Sequence, residues 1–345
     1  MYPLLDTMLL WTVRALAGGT AAQRIGAATE SLYPAADCTT ARYRRSRMLL
    51  RSLFHLGPTV QWLDCLWSSK LLLTVLRQHP YLAEKIHRPY CCRSLDAGAR
   101  AGRLMAHYHF ALRHPGASLL LAAMQADATL AELTGRSGRR YRLVLSSAQA
   151  LPKEGELMLR LDCDGFTLQK AAFVCGDRNG VPSLIIGCWQ GNKCPTSRDR
   201  MREATRDLSG LRPRDLLLLG MQAMAAACTL KAMVGVGDGQ HIYRHWRKRR
   251  AIIQSYDALW TDVGGMQEQD GFFSLPLQHR RRPLHDYPSS KRSAVARRHD
   301  LEDQARAQLA AAFAASQPDQ QQAREVPAVP GDSVPRSRWK TVPYW

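Results

Sequence analysis

The chain has 345 residues, 46% of them apolar, and carries 48 lysines and arginines against 29 acids, for a net charge of +19 and a pI near 10.0. The apolar share excludes general disorder, and the length has room for one large domain or two ordinary ones. The charge favours an anionic partner (nucleic acid, an acidic membrane surface or a phosphorylated ligand), although the basic residues are spread along the whole chain and also serve solubility.

Nine cysteines are present and no pair has CxxC spacing. The adjacent Cys91 and Cys92 cannot easily clamp one metal, and Cys188 and Cys194 lack partners at zinc-finger spacing, so no metal is expected. Unpatterned thiols suit a reducing compartment, which makes the cytoplasm the expected location. Residues 8–13 are apolar, but Asp6 precedes them and no basic segment comes first, unlike a secretory signal. The longest apolar run, 216–230, contains Gln222 and falls short of the roughly 20 residues that span a bilayer. No transmembrane segment is expected.

Residues 1–47 read as a partly helical appendage. Leu4, Leu5, Met8, Leu9 and Val13 suit one face of a short amphipathic helix, and 17–36 carry no clear period. Arg42, Arg44, Arg45 and Arg47 cluster around Tyr43, either as a solvated helix face or as a phosphate or headgroup contact. The main domain is expected over 48–305, helical in 48–135. Val60, Leu63, Trp67, Leu71 and Val75 recur at helical steps, His79-Pro80 stops that pattern, 95–112 form a second helical region and 119–133 a third. His107 and His109, at i and i+2, do not share a helix face and make no metal pair.

Over 139–305 the pattern becomes a sheet with helices. Residues 141–147 alternate as a strand, and in LMLRLDC (157–163) Leu157, Leu159 and Leu161 share one side. Asp164-Gly165 predicts a tight hairpin into 166–174, and Asp177, Asn179 and Gly180 another turn into a strand at 184–189. These short connections imply antiparallel pairing. From Gln190-Gly191-Asn192 a polar loop leads to a charged helix ending at Gly210, an apolar helix starting at Pro213 and a strand at 233–236. That is a crossover, the unit that places a polar loop at a sheet end. Beyond it come HIYRHWRKRR (241–250), a short helix in 255–265, a strand at 272–275, a basic run from Arg280 to Arg298 and an Ala-rich helix at 301–315. Residues 306–345 comprise the end of that helix and a Pro- and Gln-rich tail expected to be disordered.

Four pieces of the chain resemble the bacterial VirK/YbjX family: KEGELMLRL (153–161), IIGCWQG (185–191), ATRDLSGLRPRDLLL (204–218), and YDALWTDVGG (256–265) followed by DGFFSLP (270–276). The likeness covers about 48–300. It implies a bacterial protein linked to envelope remodelling, virulence and resistance to cationic antimicrobial peptides, and it brings no catalytic residues with it. Asn192-Lys193-Cys194-Pro195 departs from the family pattern after Gly191.

The candidate cofactor site is the loop and helix start after the buried strand. Gln190 and Gly191 supply the loop, and Arg198 and Arg202, with Lys193 and Arg200 nearby, supply charge to an anion at a helix N-terminus. The order of strand, loop, helices and strand is also similar to the acyl-CoA-binding half of GNAT acetyltransferases, where pantetheine and pyrophosphate sit between two splayed strands. A compact Q/R-x-x-G-x-G/A loop is absent here, and two helices replace one. The plain alternative is a structural helix start with solvated arginines. Candidate substrate contacts are Arg212, which Gly210 and Pro213 leave without a local role, and the group Tyr256, Asp257 and Trp260, whose other role is core packing. Glu154, Glu156, Asp162 and Asp164 are possible general bases, although acids on a hairpin are more often exposed charges. His241 and His245 have i, i+4 spacing but no third ligand. No G-x-S-x-G, P-loop or GxGxxG is present.

The expectation is an α+β protein, a helical N-terminal region packed on a mixed, mainly antiparallel sheet of GNAT-like character, acting as an acyltransferase with an acyl-CoA donor in the cytoplasm or peripheral to the inner membrane. The alternatives are a nonenzymatic nucleic-acid-binding, post-transcriptional regulator using 241–250 and the Arg280–Arg298 run, or a scaffold at anionic lipid.

Overall fold

The computed structural model describes residues 2–33, 39–243, 255–278 and 281–316. Seven helices come first: α1 (Tyr2–Ala17), α2 (Gly19–Leu32), α3 (Thr39–Phe54), α4 (Leu56–Trp67), α5 (Lys70–Gln78), α6 (Ala97–Arg113) and α7 (Ser118–Gln125). Side-chain caps start two of them. Ser69 Oγ accepts from the Leu71 amide at 3.2 Å ahead of α5, and Asp96 accepts from the Ala99 amide at 2.8 Å ahead of α6. Within 17–36, which shows no period, Gly19–Leu32 still form α2, because Ala21, Ile25 and Ala28 bury a narrow stripe of small and branched side chains.

Eight strands follow: β1 (Ala128–Thr134), β2 (Arg140–Ser147), β3 (Leu157–Cys163), β4 (Phe166–Arg178), β5 (Val181–Gly191), β6 (Ala232–Val236), β7 (Met266–Gln267) and β8 (Phe272–Leu275). They form one mixed sheet in the order β1-β2-β3-β4-β5-β6-β8-β7. Five neighbouring pairs and the β7–β8 pair are antiparallel; β5 and β6 run parallel. The β3–β4 and β4–β5 hairpins turn on Asp164-Gly165 and Asn179-Gly180, all four with positive φ, as two-residue turns require. The protein is thus α+β, with a helical N-terminal region and a mainly antiparallel sheet.

The parallel pair is joined by α8 (Ser197–Asp207) and α9 (Pro213–Ala227). Pro213 occupies the first turn of α9, and Gly210, with φ of 91°, closes the preceding turn. Gly220 of α9 faces Leu159 and Leu143, whereas Ala106 of α6 faces Gly176. These sheet positions differ in parity, so α6 and α9 cover opposite faces. After β6 come α10 (Tyr256–Asp262), the β7–β8 ribbon and α11 (Ser289–Ala315). The Gln308 side chain on α11 exchanges hydrogen bonds with the Glu132 backbone, at 2.7 and 2.9 Å, and so shields edge strand β1.

The expected helix at 119–133 is a correction. It ends at Gln125, and 128–134 form β1. A short apolar run fits either state, and pairing with β2 from Ala128 to Thr134 decides it. α11 also starts earlier than expected. Arg281, from the basic run, is bound by Glu302 and Asp303 of that helix at 2.7 Å each. The His245 and 247–250 readings, Arg280 at the start of the basic run and the 317–345 tail lie outside the described residues. Among the described residues, no helix is long and apolar enough to cross a membrane.

Candidate functional site

β5 and β6 pair only through Ser183–Ile186 and Ala232–Gly235, while β5 runs on to Gly191. Where they part, β5 carries a bulge. Ala172 pairs with Cys188 and Phe173 with Ile186, leaving Gly187 as the extra residue. A Cβ on Gly187 would run into the Glu154 carbonyl oxygen, so glycine lets the 153–155 backbone cross β5 here.

The crossing brings Glu154 to this point. Its side chain is buried, the residue being 1% exposed, and neither carboxylate oxygen has a hydrogen-bond partner among the described residues. Burial pushes its carboxyl up to about 7, against the opposing pull of the nearby Glu154 and Lys153 amides, which are close but not aligned for a hydrogen bond, and of the Lys153 and Lys85 charges. Glu156, two residues on, is also buried but fully engaged. It accepts from Lys85 Nζ at 2.5 Å and from the Tyr108 hydroxyl at 2.7 Å. Lys85 also donates to the Gly155 carbonyl at 3.2 Å. The expectation of exposed hairpin acids therefore fails for both glutamates. It fails for Asp162 as well, which is buried and held by Arg160 and Thr167, each at 2.7 Å; of the four acids only Asp164 is exposed.

On the other side of the divergence, α10 is fixed by its polar residues. Ser255 caps it, and its hydroxyl donates to Asp238 at 2.7 Å. Asp257 accepts from the Asp238 amide at 2.7 Å, and Trp260 Nε1 donates to the Val236 carbonyl at 2.9 Å. Trp260 lies so close over β6 that a Cβ on Gly235 would enter its ring. Tyr256 thereby reaches the outer part of β5, where its hydroxyl meets the Gln190 side chain and the Trp189 backbone. Burial pushes that hydroxyl up, and the Glu154 charge adds to the effect. The His241 ring stacks on Tyr256 at 4.5 Å, and Trp189 meets Trp260 edge to face at 6.0 Å. Lys153 Nζ lies 5.4 Å from the centre of the Tyr243 ring.

Of the residues singled out in the sequence, Gln190, Tyr256, Asp257 and Trp260 converge here, Gly191 ends β5, and the arginines do not join them. Arg198 and Arg202 are exposed on α8, with Arg202 3.4 Å from Asp199, and Arg212 is exposed ahead of α9. A cleft of about 340 Å³ beside α8 sets Arg139 and Arg200 against Asp164, Asp199 and Glu203, a balanced rather than a basic lining. A second cleft, about 180 Å³, is lined by Tyr81, Lys85, Arg88, Gln149, Pro152 and Lys153, and so ends one residue from Glu154. No cluster of three or more metal-ligating side chains occurs among the described residues. Glu154 carries the most distinctive chemistry: a buried carboxyl without a hydrogen-bond partner among the described residues, pushed by burial up to about 7, can take a proton from a substrate. Its only sequence signal is the KEGE run, in which Glu154 and Glu156 look alike.

Comparison with known proteins agrees with the motif resemblance. Residues 38–311 match the family described as Protein of unknown function (DUF535). The chain is 28% identical to the uncharacterized protein YbjX of Escherichia coli over 276 residues, 78% of this chain and 83% of that one. It is 25% identical to an uncharacterized protein of Haemophilus influenzae over 248 residues, 71% of this chain and 81% of that one. No solved structure matches at a significant level. With the family match spanning most of its length, this chain belongs to the DUF535 family, the VirK/YbjX group of uncharacterised bacterial proteins.

Proposed function

We propose that the protein is an acyltransferase of GNAT-like build that takes an acyl-CoA-type donor where β5 and β6 part. The observation that carries this reading is one parallel pair within an otherwise antiparallel sheet, diverging after Ile186 and Gly235 and bridged by the α8–α9 crossover. The departure leaves the β6-facing edge of 187–191 without a strand partner among the described residues, and an extended amide-containing donor can pair with such an edge. The donor supplies an activated thioester carbonyl.

The chain's residues supply the proton chemistry. Glu154 in its ionised form accepts the proton of an amine or hydroxyl acceptor as that group bonds to the acyl carbon. The carbon–sulfur bond breaks and the thiolate leaves. Tyr256, its hydroxyl kept protonated by burial, is the group we assign to return a proton to the sulfur. Trp189 and Trp260 pack the floor of the divergence and keep water from the thioester. The VirK/YbjX resemblance supports bacterial envelope remodelling, including virulence and resistance to cationic antimicrobial peptides, as the setting.

Thermal unfolding with a panel of acyl-CoAs, together with release of free thiol on adding amine and hydroxyl acceptors, tests the reading. We expect a donor-dependent rise in Tm, and a Glu154→Gln variant that keeps this rise while losing thiol release. Absence of a shift with every donor at millimolar concentration overturns it.

A further inference from the structure

The large apolar side chains that remain exposed among the described residues are concentrated on two neighbouring helices. On α1 they are Met8, Trp11 and Leu16, with Met8 67% and Trp11 64% exposed; on α3 they are Tyr43, Leu50 and Phe54, the last 77% exposed. Their spacing is helical. Met8 and Trp11 lie on the side of α1 opposite Asp6, Leu9 and Val13, which are buried. Tyr43, Arg47, Leu50 and Phe54 follow one another at steps of four, three and four, and so form a single stripe along α3, opposite buried Leu49 and Ser52. Both helices therefore have a satisfied inner face and an apolar outer one. The pair is tied together by Asp6, which accepts from Ser46 Oγ at 2.6 Å and from Arg45 at 3.1 Å.

Solvent does not explain this arrangement, because single exposed apolar residues are ordinary but two adjacent stripes are not. The charges around them identify the occupant. Arg14 lies 5.4 Å from the centre of the Trp11 ring, Arg42, Arg44 and Arg47 are exposed on α3, and the acid of this helix pair, Asp6, is turned inward. Apolar side chains led by a tryptophan, rimmed by arginines and free of outward acids, match the interface of a membrane carrying anionic headgroups.

We infer that the outer faces of α1 and α3 form a docking surface for an anionic phospholipid bilayer, with Met8, Trp11, Leu50 and Phe54 entering the acyl boundary and Arg44 and Arg47 meeting headgroup phosphates. Neither helix spans the bilayer; the protein lies on it. The inference is independent of the acyltransfer reading, since it uses none of the residues at the β5–β6 divergence.

Flotation of the full chain with phosphatidylglycerol-containing vesicles and with pure phosphatidylcholine vesicles is the test. Binding is expected to the anionic vesicles and not to the neutral ones. Arg44→Ala with Arg47→Ala should weaken it by roughly fivefold per arginine. Trp11→Ser with Phe54→Ser should abolish flotation while leaving the melting curve unchanged, because both side chains already face water. Absence of binding to anionic vesicles, or binding undiminished in both variants, overturns the inference. So does a concentration-dependent dimer that the Trp11/Phe54 variant dissolves, since the faces would then cover a second copy of the chain.

Discussion

Glu154 and Glu156 share the turn segment ahead of β3 and the same depth of burial, yet Glu156 holds Lys85 and Tyr108 while neither oxygen of Glu154 has a partner among the described residues. The second glutamate is consumed by the fold. The first is a desolvated, titratable group beside the divergence of β5 and β6.

Because its folded carboxyl titrates near 7 instead of about 4.5, Glu154 costs stability when ionised. Below pH 4.5 the folded and unfolded states both hold the proton and there is no cost. Between 4.5 and 7 the unfolded state releases it first, so stability falls, reaching a loss of about 3 kcal/mol above pH 7. Glu154→Gln should therefore raise Tm at pH 8 and leave it unchanged at pH 4. Any acyltransfer by the wild type should rise through pH 7 as the base ionises. Thermal melts and initial rates across pH 4–9 check both.

The Lys85–Glu156 pair should behave as a coupled unit. Lys85→Met strands a buried carboxylate with only tyrosine hydroxyls, Tyr108 and the nearby Tyr90, and should cost roughly 3–5 kcal/mol. Adding Glu156→Gln should recover a substantial part of that loss, since the neutral amide can still accept from Tyr108. Urea unfolding of the two singles and the double measures the coupling.

Acid should weaken the contact between α6 and the sheet. His107 is buried, its Nδ1 accepts from the Cys175 amide at 3.1 Å, and burial lowers its pKa to about 4. The unfolded imidazole takes a proton near pH 6.5, so about 3 kcal/mol is present above that pH and is lost as pH falls towards 4. His107→Asn, which can still accept from the amide but does not titrate, should flatten this part of the pH–stability curve.

Gly187→Ala tests the bulge. The added methyl meets the Glu154 carbonyl, a backbone atom that cannot rotate away. A loss of about 1–3 kcal/mol or more is expected in chemical denaturation, with displacement of Glu154 and reduced thiol release. Gly239→Ala, where a Cβ meets nothing within 4 Å, is the matched control.

Much of the fold was legible because local rules govern it. Asp164-Gly165 and Asn179-Gly180 announce their hairpins, Pro213 announces α9, and Ser255 precedes α10, each through backbone chemistry confined to a few residues. β1 was not legible, since 128–134 read equally well as the end of a helix until β2 lies beside them. Of the site, Tyr256, Asp257, Trp260 and Gln190 could be picked out as a polar-aromatic group and a strand end. That Glu154, 36 residues before Gln190, comes near enough for its charge to act on the Tyr256 hydroxyl could not.

The sequence by itself determined the class, the hairpins, the crossover and the family, because periodicity, turn residues and motif order are properties of neighbours along the chain. Only the tertiary structure decided which glutamate of KEGE is partnered, which faces of α1 and α3 stay open, and that the arginines of α8 stand apart from Tyr256. Those outcomes depend on desolvation and on pairing between distant segments. Burial turns two identical carboxylates into a structural ion pair and a group that titrates near neutrality, and no local pattern carries that difference.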